Sequence, residues 1–158
     1  MKFISHRGNL TGPNPNKENT ISYIRDALDN GYDVEIDVWY VDNIIYLGHD
    51  APQEKLPEDF LHDDRLWFHC KNADALAYLS QTATVKYFWH QTDDYTLVSN
   101  GKIWVYPGKP LLEGSIAVVP EVSVDGNLHT CYAICTDYVL QYQQELIYAN
   151  KESEHFLK

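Results

Sequence analysis

Asp33-Val34-Glu35-Ile36-Asp37-Val38 is the stretch on which the reading of the chain turns. The two-residue period of a strand puts Val34, Ile36 and Val38 on one face and Glu35 and Asp37 on the other. The apolar face can pack on helices. The two carboxylates are then expected to point into the lumen of a barrel, where burying like charges together is costly unless a cation neutralises them. Oxygen donors of this kind suit magnesium, calcium or manganese. An exposed edge strand is the plainer alternative, and the apolar alternation speaks against it.

The chain continues Trp39-Tyr40-Val41-Asp42-Asn43-Ile44-Ile45-Tyr46-Leu47-Gly48-His49-Asp50. With Asp42-Asn43 as a two-residue hairpin turn, Val41 pairs with Ile44 and the register runs back until His49 lies opposite Ile36. A histidine thus returns beside the carboxylate pair.

Outside this hairpin, short apolar blocks rich in β-branched and aromatic residues predict strands at 2–5, 32–38, 66–70, 85–90, 103–106, 116–120 and 132–136. Helices are expected at 20–30, 73–81 and 138–149. The first has Asn19 or Thr20 as N-cap and Gly31 as the left-handed residue after its end. A short helical turn is expected at 94–99, with loops at 107–115 and 121–131. Strands alternating with helices favour a parallel sheet, and about seven to eight strands favour closure. The expectation is a shortened (β/α) TIM-type barrel, because such barrels usually need about 250 residues and some helices must be lost.

The 158 residues fit one domain spanning 1–158. No apolar run is long enough to span a bilayer. A net charge of -11 argues against nucleic acid, whose phosphates are held by clustered Lys and Arg. The opening Met1-Lys2-Phe3-Ile4-Ser5 is too short an apolar segment for a signal peptide, so the expected location is the cytoplasm. Cys70, Cys131 and Cys135 are odd in number and lack redox or zinc spacing, which predicts buried free thiols.

Polar residues stand at the end of nearly every predicted strand: His6-Arg7, Glu35 and Asp37, His69 and Lys71, His90-Gln91, Tyr106, Glu121 and Asp137. In a barrel these ends meet at one mouth. Arg7 offers a planar fork for phosphate, and His6 and His49 can trade a proton in each direction. Phosphodiester cleavage needs one group to accept a proton from the attacking oxygen, another to give one to the leaving oxygen, and a cation to absorb charge.

The order His6-Arg7-Gly8, Glu18-Asn19-Thr20, Glu35-Ile36-Asp37-Val38, Gly48-His49-Asp50 resembles the glycerophosphodiester phosphodiesterase family. It is also similar to the wider superfamily of phosphatidylinositol-specific phospholipase C and the sphingomyelinase D toxins. The resemblance implies a barrel enzyme with His6 and His49 as the acid-base pair and Arg7 and Lys71 on the phosphate. Glu35 and Asp37 would hold the divalent ion, and Glu18, with Asn19 and Asp50, would support the site. Thr136-Asp137 resembles the pair closing the family's last strand. Two departures stand out. His69 occupies the place of the family's third metal-binding glutamate, so the ion can be manganese or another transition ion, or be held more weakly. Lys17 replaces the usual proline before Glu18.

The resemblance covers residues 3–71 and thins afterwards. The second half is aromatic, and Trp89, His90, Trp104 and Tyr106, with Asp137, are candidates for substrate binding by stacking and polar contact. Core packing in place of lost helices is the plain alternative for the rings. The expected activity is metal-dependent hydrolysis of a glycerophosphodiester or another phosphodiester with a small headgroup. A non-catalytic binder of phosphorylated small molecules is the alternative. No feature of the chain addresses its oligomeric state.

Overall fold

The computed structural model describes residues 1–82 and 84–155. In chain order the elements are β1 (Lys2–His6), α1 (Ile21–Asp29), β2 (Asp33–Val41), β3 (Ile44–Leu47), β4 (Glu54–Lys55), β5 (Leu66–Cys70) and α2 (Ala73–Ser80). They continue with β6 (Lys86–Trp89), β7 (Tyr95–Leu97), β8 (Ile103–Val105), β9 (Ile116–Val118), β10 (Ala133–Thr136) and α3 (Val139–His155). Short 3-10 turns occupy Glu58–His62 and Leu128–Thr130.

The strands form one mixed sheet. Its parallel part runs β6-β5-β2-β1-β10-β9-β8, so all the strands that deliver candidate site residues point the same way. No pairing among the described residues joins β6 to β8, and the ladder is open there. β7 occupies that gap. It pairs antiparallel with β8, while Thr96 Oγ1 donates to the Trp89 carbonyl (2.7 Å) and Ser99 N to the Tyr87 carbonyl (2.9 Å) of β6.

β7 corrects the helical turn expected at 94–99. Tyr95 and Thr96 carry side chains that suit a strand, and they pair with Val105 and Trp104. Gly101, at φ 82°, sits in the turn that returns the chain. The hairpin between β2 and β3 has Asp42 and Asn43 at φ 50° and 64°, a mirror-type two-residue turn, with Val41 opposite Ile44 and Val38 opposite Leu47.

α1 begins at Thr20, whose hydroxyl donates to the Lys17 carbonyl instead of capping the helix. The cap comes from far along the chain: Glu54 Oε2 accepts from Ile21 N at 2.8 Å. A carboxylate there also meets the positive end of the helix dipole. Asn72 caps α2 through Ala75 N and clamps both backbone groups of Tyr40, tying the helix to β2.

Ile24, Ala27 and Leu28 of α1, with Ala75 and Leu79 of α2, bury Val34, Ile36 and Val38 of β2 and Leu66, Phe68 and Cys70 of β5. Each fully buried Ile or Leu contributes about 1.5–3 kcal/mol. The opposite face carries a second cluster of Ile4, Trp67, Phe88, Trp104, Ile116 and Cys135. Two residues after each of these, on the same face, come His6, His69, His90, Tyr106, Val118 and Asp137. The second cluster is therefore the floor beneath the site. All three cysteines are buried and free. Among the described residues no helix is long and apolar enough to cross a membrane.

Candidate metal and acid-base site

Strand alternation on β2 and the parallel register Asp37 to His69 on β5 bring Glu35, Asp37 and His69 together. One donor atom from each lies within 4.8 Å of the others. His69 Nδ1 stands 3.0 Å from Asp37 Oδ1 and 3.5 Å from Glu35 Oε1. Asp37 Oδ1 and Glu35 Oε2 are buried oxygens without a hydrogen-bond partner.

His69 Nε2 lies 2.9 Å from the His90 carbonyl, which only accepts, so Nε2 carries a hydrogen and Nδ1 faces the carboxylates. Burial opposes charge on this ring, but Asp37 and Glu35 outweigh it and hold its pKa up at about 9. Burial works against the Asp37 carboxylate too. The His69 contact, then Arg7 and Lys71, override it and push its pKa well below the usual range. Arg7 Nε lies 3.0 Å and Lys71 Nζ 3.6 Å from Asp37. Asn19, at φ 58°, clamps the same residue from the side. Its amide donates to Asp37 Oδ2 (2.8 Å) and its oxygen accepts from Asp37 N (2.9 Å).

The donor set fits a divalent ion on two counts: two buried carboxylate oxygens lack hydrogen-bond partners, and His69 Nδ1 comes close to both carboxylates, at Asp37 Oδ1 and Glu35 Oε1.

His6 closes β1 beside this group. Its Nδ1 is 2.8 Å from Asp137 Oδ1 and its Nε2 3.8 Å from Glu35 Oε2. Burial lowers its pKa, yet the hydrogen bond to Asp137 and the charge of Glu35 raise it overall. Asn9, fully buried, donates to both Asp137 (2.8 Å) and Glu18 (2.9 Å). Glu18 in turn reaches Arg7 at 3.4 Å. Asp137 N is held by Glu121 Oε1 at 2.8 Å, so the carboxylate behind His6 is fixed from two sides.

A cavity of about 380 Å³ opens over the group and is lined by His6, Arg7, Glu35, His49, His69 and Lys71, with His90, Trp104 and Tyr106 on its far wall. His49 reaches it by a different route from the one expected. The ladder ends at Leu47 with one further bond from Gly48 N to the Asp37 carbonyl, so His49 stands beyond the paired strands and not opposite Ile36. Trp39 Nε1 fixes the Gly48 carbonyl (2.7 Å), and exposed Asp50 bonds His49 Nδ1 (2.7 Å).

Two expected substrate contacts lie elsewhere. Trp89 follows Phe88 on β6, so alternation turns it to the helix-side cluster. Asp137 is occupied by His6 and Asn9 and is absent from the cavity wall. The other candidates line the cavity: Trp104 is buried, and Tyr106 stacks on His90 at 5.5 Å and 4°. His90 Nδ1 is buried without a partner, and burial lowers the ring's pKa. Sequence reasoning missed Asn9 altogether. Its only local signal is its place just after His6-Arg7-Gly8, where a turn asparagine is unremarkable.

Comparison with known proteins adds no relative: no family model matches the chain, nor does any curated protein or any solved structure.

Proposed function

We propose that this chain is a metal-dependent phosphodiesterase on a shortened α/β barrel of the cytoplasm, in which β7 stands where further barrel elements would. The observation that carries the reading is two buried carboxylate oxygens without a hydrogen-bond partner beside a cavity, Asp37 Oδ1 next to His69 Nδ1 and Glu35 Oε2 toward His6 Nε2. A divalent ion held by Glu35, Asp37 and His69 would supply charge neutralisation for the phosphate oxygens. Arg7 and Lys71 bind the remaining anionic oxygens. His6, oriented through Nδ1 by Asp137, holds or releases a proton at Nε2, and His49 serves the other oxygen from the cavity's edge.

The headgroup follows from charge. Among the described residues lining the cavity, Glu35 is the one carboxylate, against Arg7, Lys71 and four imidazoles. Tyr106 has one face covered by His90 and Trp104 is nearly buried, so no open aromatic cage awaits a quaternary ammonium. A neutral, hydroxyl-bearing alcohol such as glycerol fits this wall, with His90 Nδ1 as a hydrogen-bond partner for a hydroxyl.

A second reading is a binder of phosphorylated small molecules without turnover. It is favoured by Asp37, whose charge Arg7, His69 and Lys71 already balance. Phosphorus NMR of metal-supplemented protein with glycerophosphodiesters separates the two. The enzyme reading expects a phosphomonoester or cyclic phosphate to appear. Line broadening of the diester with no product under any divalent ion would leave the binder.

A further inference from the structure

We infer that the centre formed by Glu35, Asp37 and His69 selects a first-row transition ion of the iron-to-zinc series over magnesium and calcium. The inference rests on the reading of this trio as a metal centre and goes beyond it to which ion the chain is built for. Three independent features of the site lead there.

The first is the nitrogen donor and its preparation. The His90 carbonyl takes the Nε2 hydrogen at 2.9 Å, which leaves Nδ1 as the atom presented to the carboxylates. Phe88 stacks on the same ring at 5.0 Å and 13°, fixing its plane. A metal-binding imidazole whose other nitrogen is tied to a carbonyl is the arrangement that orients such a ligand. Imidazole nitrogen suits zinc, cobalt, nickel, iron and copper, whereas magnesium and calcium call for oxygen ligands.

Charge is the second. Magnesium and calcium are held chiefly by the negative charge of their ligands. Here Arg7 and Lys71 lie 3.0 and 3.6 Å from Asp37, so two fixed cations offset two carboxylates before any ion arrives. Little attraction for a hard cation remains. A transition ion gains in addition from its bond to nitrogen, which does not depend on the site's net charge.

The third feature is ligand number. Three protein donors beside an open cavity leave positions for water or substrate oxygen, the pattern of catalytic transition-metal sites. Calcium prefers six to eight oxygens, whereas the other side chains that reach Asp37 are the cations of Arg7 and Lys71 and the amide of Asn19, whose oxygen is already taken by Asp37 N.

The test is equilibrium binding of zinc, cobalt, manganese, magnesium and calcium to the metal-stripped protein, read by calorimetry and, for cobalt, by visible absorption. Zinc and cobalt are expected to bind at least ~100-fold more tightly than magnesium or calcium. A His69→Glu variant should lose about 10- to 100-fold in zinc affinity and close most of that gap. Nitrogen-15 NMR of the His69 ring supplies a readout on the unaltered chain, with the zinc-induced shift expected at Nδ1 and not at Nε2. Magnesium or calcium binding as tightly as zinc, or a zinc shift at Nε2 in place of Nδ1, would overturn the inference while leaving the metal-centre reading intact, and a zinc shift at neither nitrogen would overturn both. Uptake of none of the five ions would overturn both.

Discussion

Asp137 accepts a 2.8 Å hydrogen bond from His6 Nδ1, and this one contact decides which nitrogen of His6 faces the chemistry. A carboxylate only accepts, so Nδ1 keeps its hydrogen and Nε2 is the atom turned toward Glu35. Asp137→Asn should therefore act on proton transfer. We expect kcat to fall about 10²–10³-fold with KM nearly unchanged, and the His6 pKa, now raised by Asp137, to drop in an NMR titration. A rise in KM at constant kcat would instead make Asp137 a substrate contact.

The metal-free protein should lose stability as pH rises. His69 in the folded state titrates at about 9 against 6.5 for a free ring, and His6 is raised as well. Between those values the folded chain binds more protons than the unfolded one, so the stabilisation is complete below about pH 6.5 and lost on passing about 9. Thermal unfolding followed from pH 6.5 to 9 should show a falling Tm, and His69→Gln should flatten it. A rising Tm in the unaltered chain contradicts this assignment. Metal binding must likewise expel the Nδ1 proton, so its heat at pH 7 should differ between buffers of different ionisation enthalpy.

Gly48 carries His49 to the cavity, and its backbone leaves no room for a side chain. At φ 145° an added Cβ would meet the Ala51 carbonyl oxygen at 2.0 Å. Gly48→Ala should cost about 1–3 kcal/mol of stability, seen as a lower Tm, and should reduce turnover further by displacing His49. Full activity in a folded Gly48→Ala protein would remove His49 from the account.

The cationic wall of the cavity predicts a preference among headgroups. Glycerophosphoglycerol should be cleaved at least about tenfold more efficiently than glycerophosphocholine, because no carboxylate beyond the metal trio awaits the ammonium. Equal kcat/KM for the two would contradict the neutral-headgroup assignment.

The alternation of Glu35 and Asp37 and the Asp42-Asn43 turn were legible because each depends on a local period or a two-residue conformation. His69 was expected beside them only through the family resemblance and its place near a strand end, and the register of β5 on β2 is what brings it to Asp37. What was not legible depended on partners distant in the chain. Glu54 caps α1 from thirty-three positions away, and Asn9 meets Asp137 across 128. Nothing in residues 94–99 says that an open edge between β6 and β8 waits for a strand. Trp89 was misread because a ring near a strand's end looks available for stacking, while its parity on β6 sends it to the helices. The His49 register failed for a smaller reason: Gly48 leaves the ladder one residue before the pairing would be made.

Steady-state hydrolysis of a glycerophosphodiester by the zinc- or manganese-loaded chain, compared with His6→Ala and His49→Ala at equal metal occupancy, tests the central claim most directly. Metal-dependent release of the alcohol is expected, with kcat reduced at least about 10²-fold by either substitution. Undiminished turnover in both variants, or turnover indifferent to chelation, would contradict a two-histidine, metal-dependent phosphodiesterase.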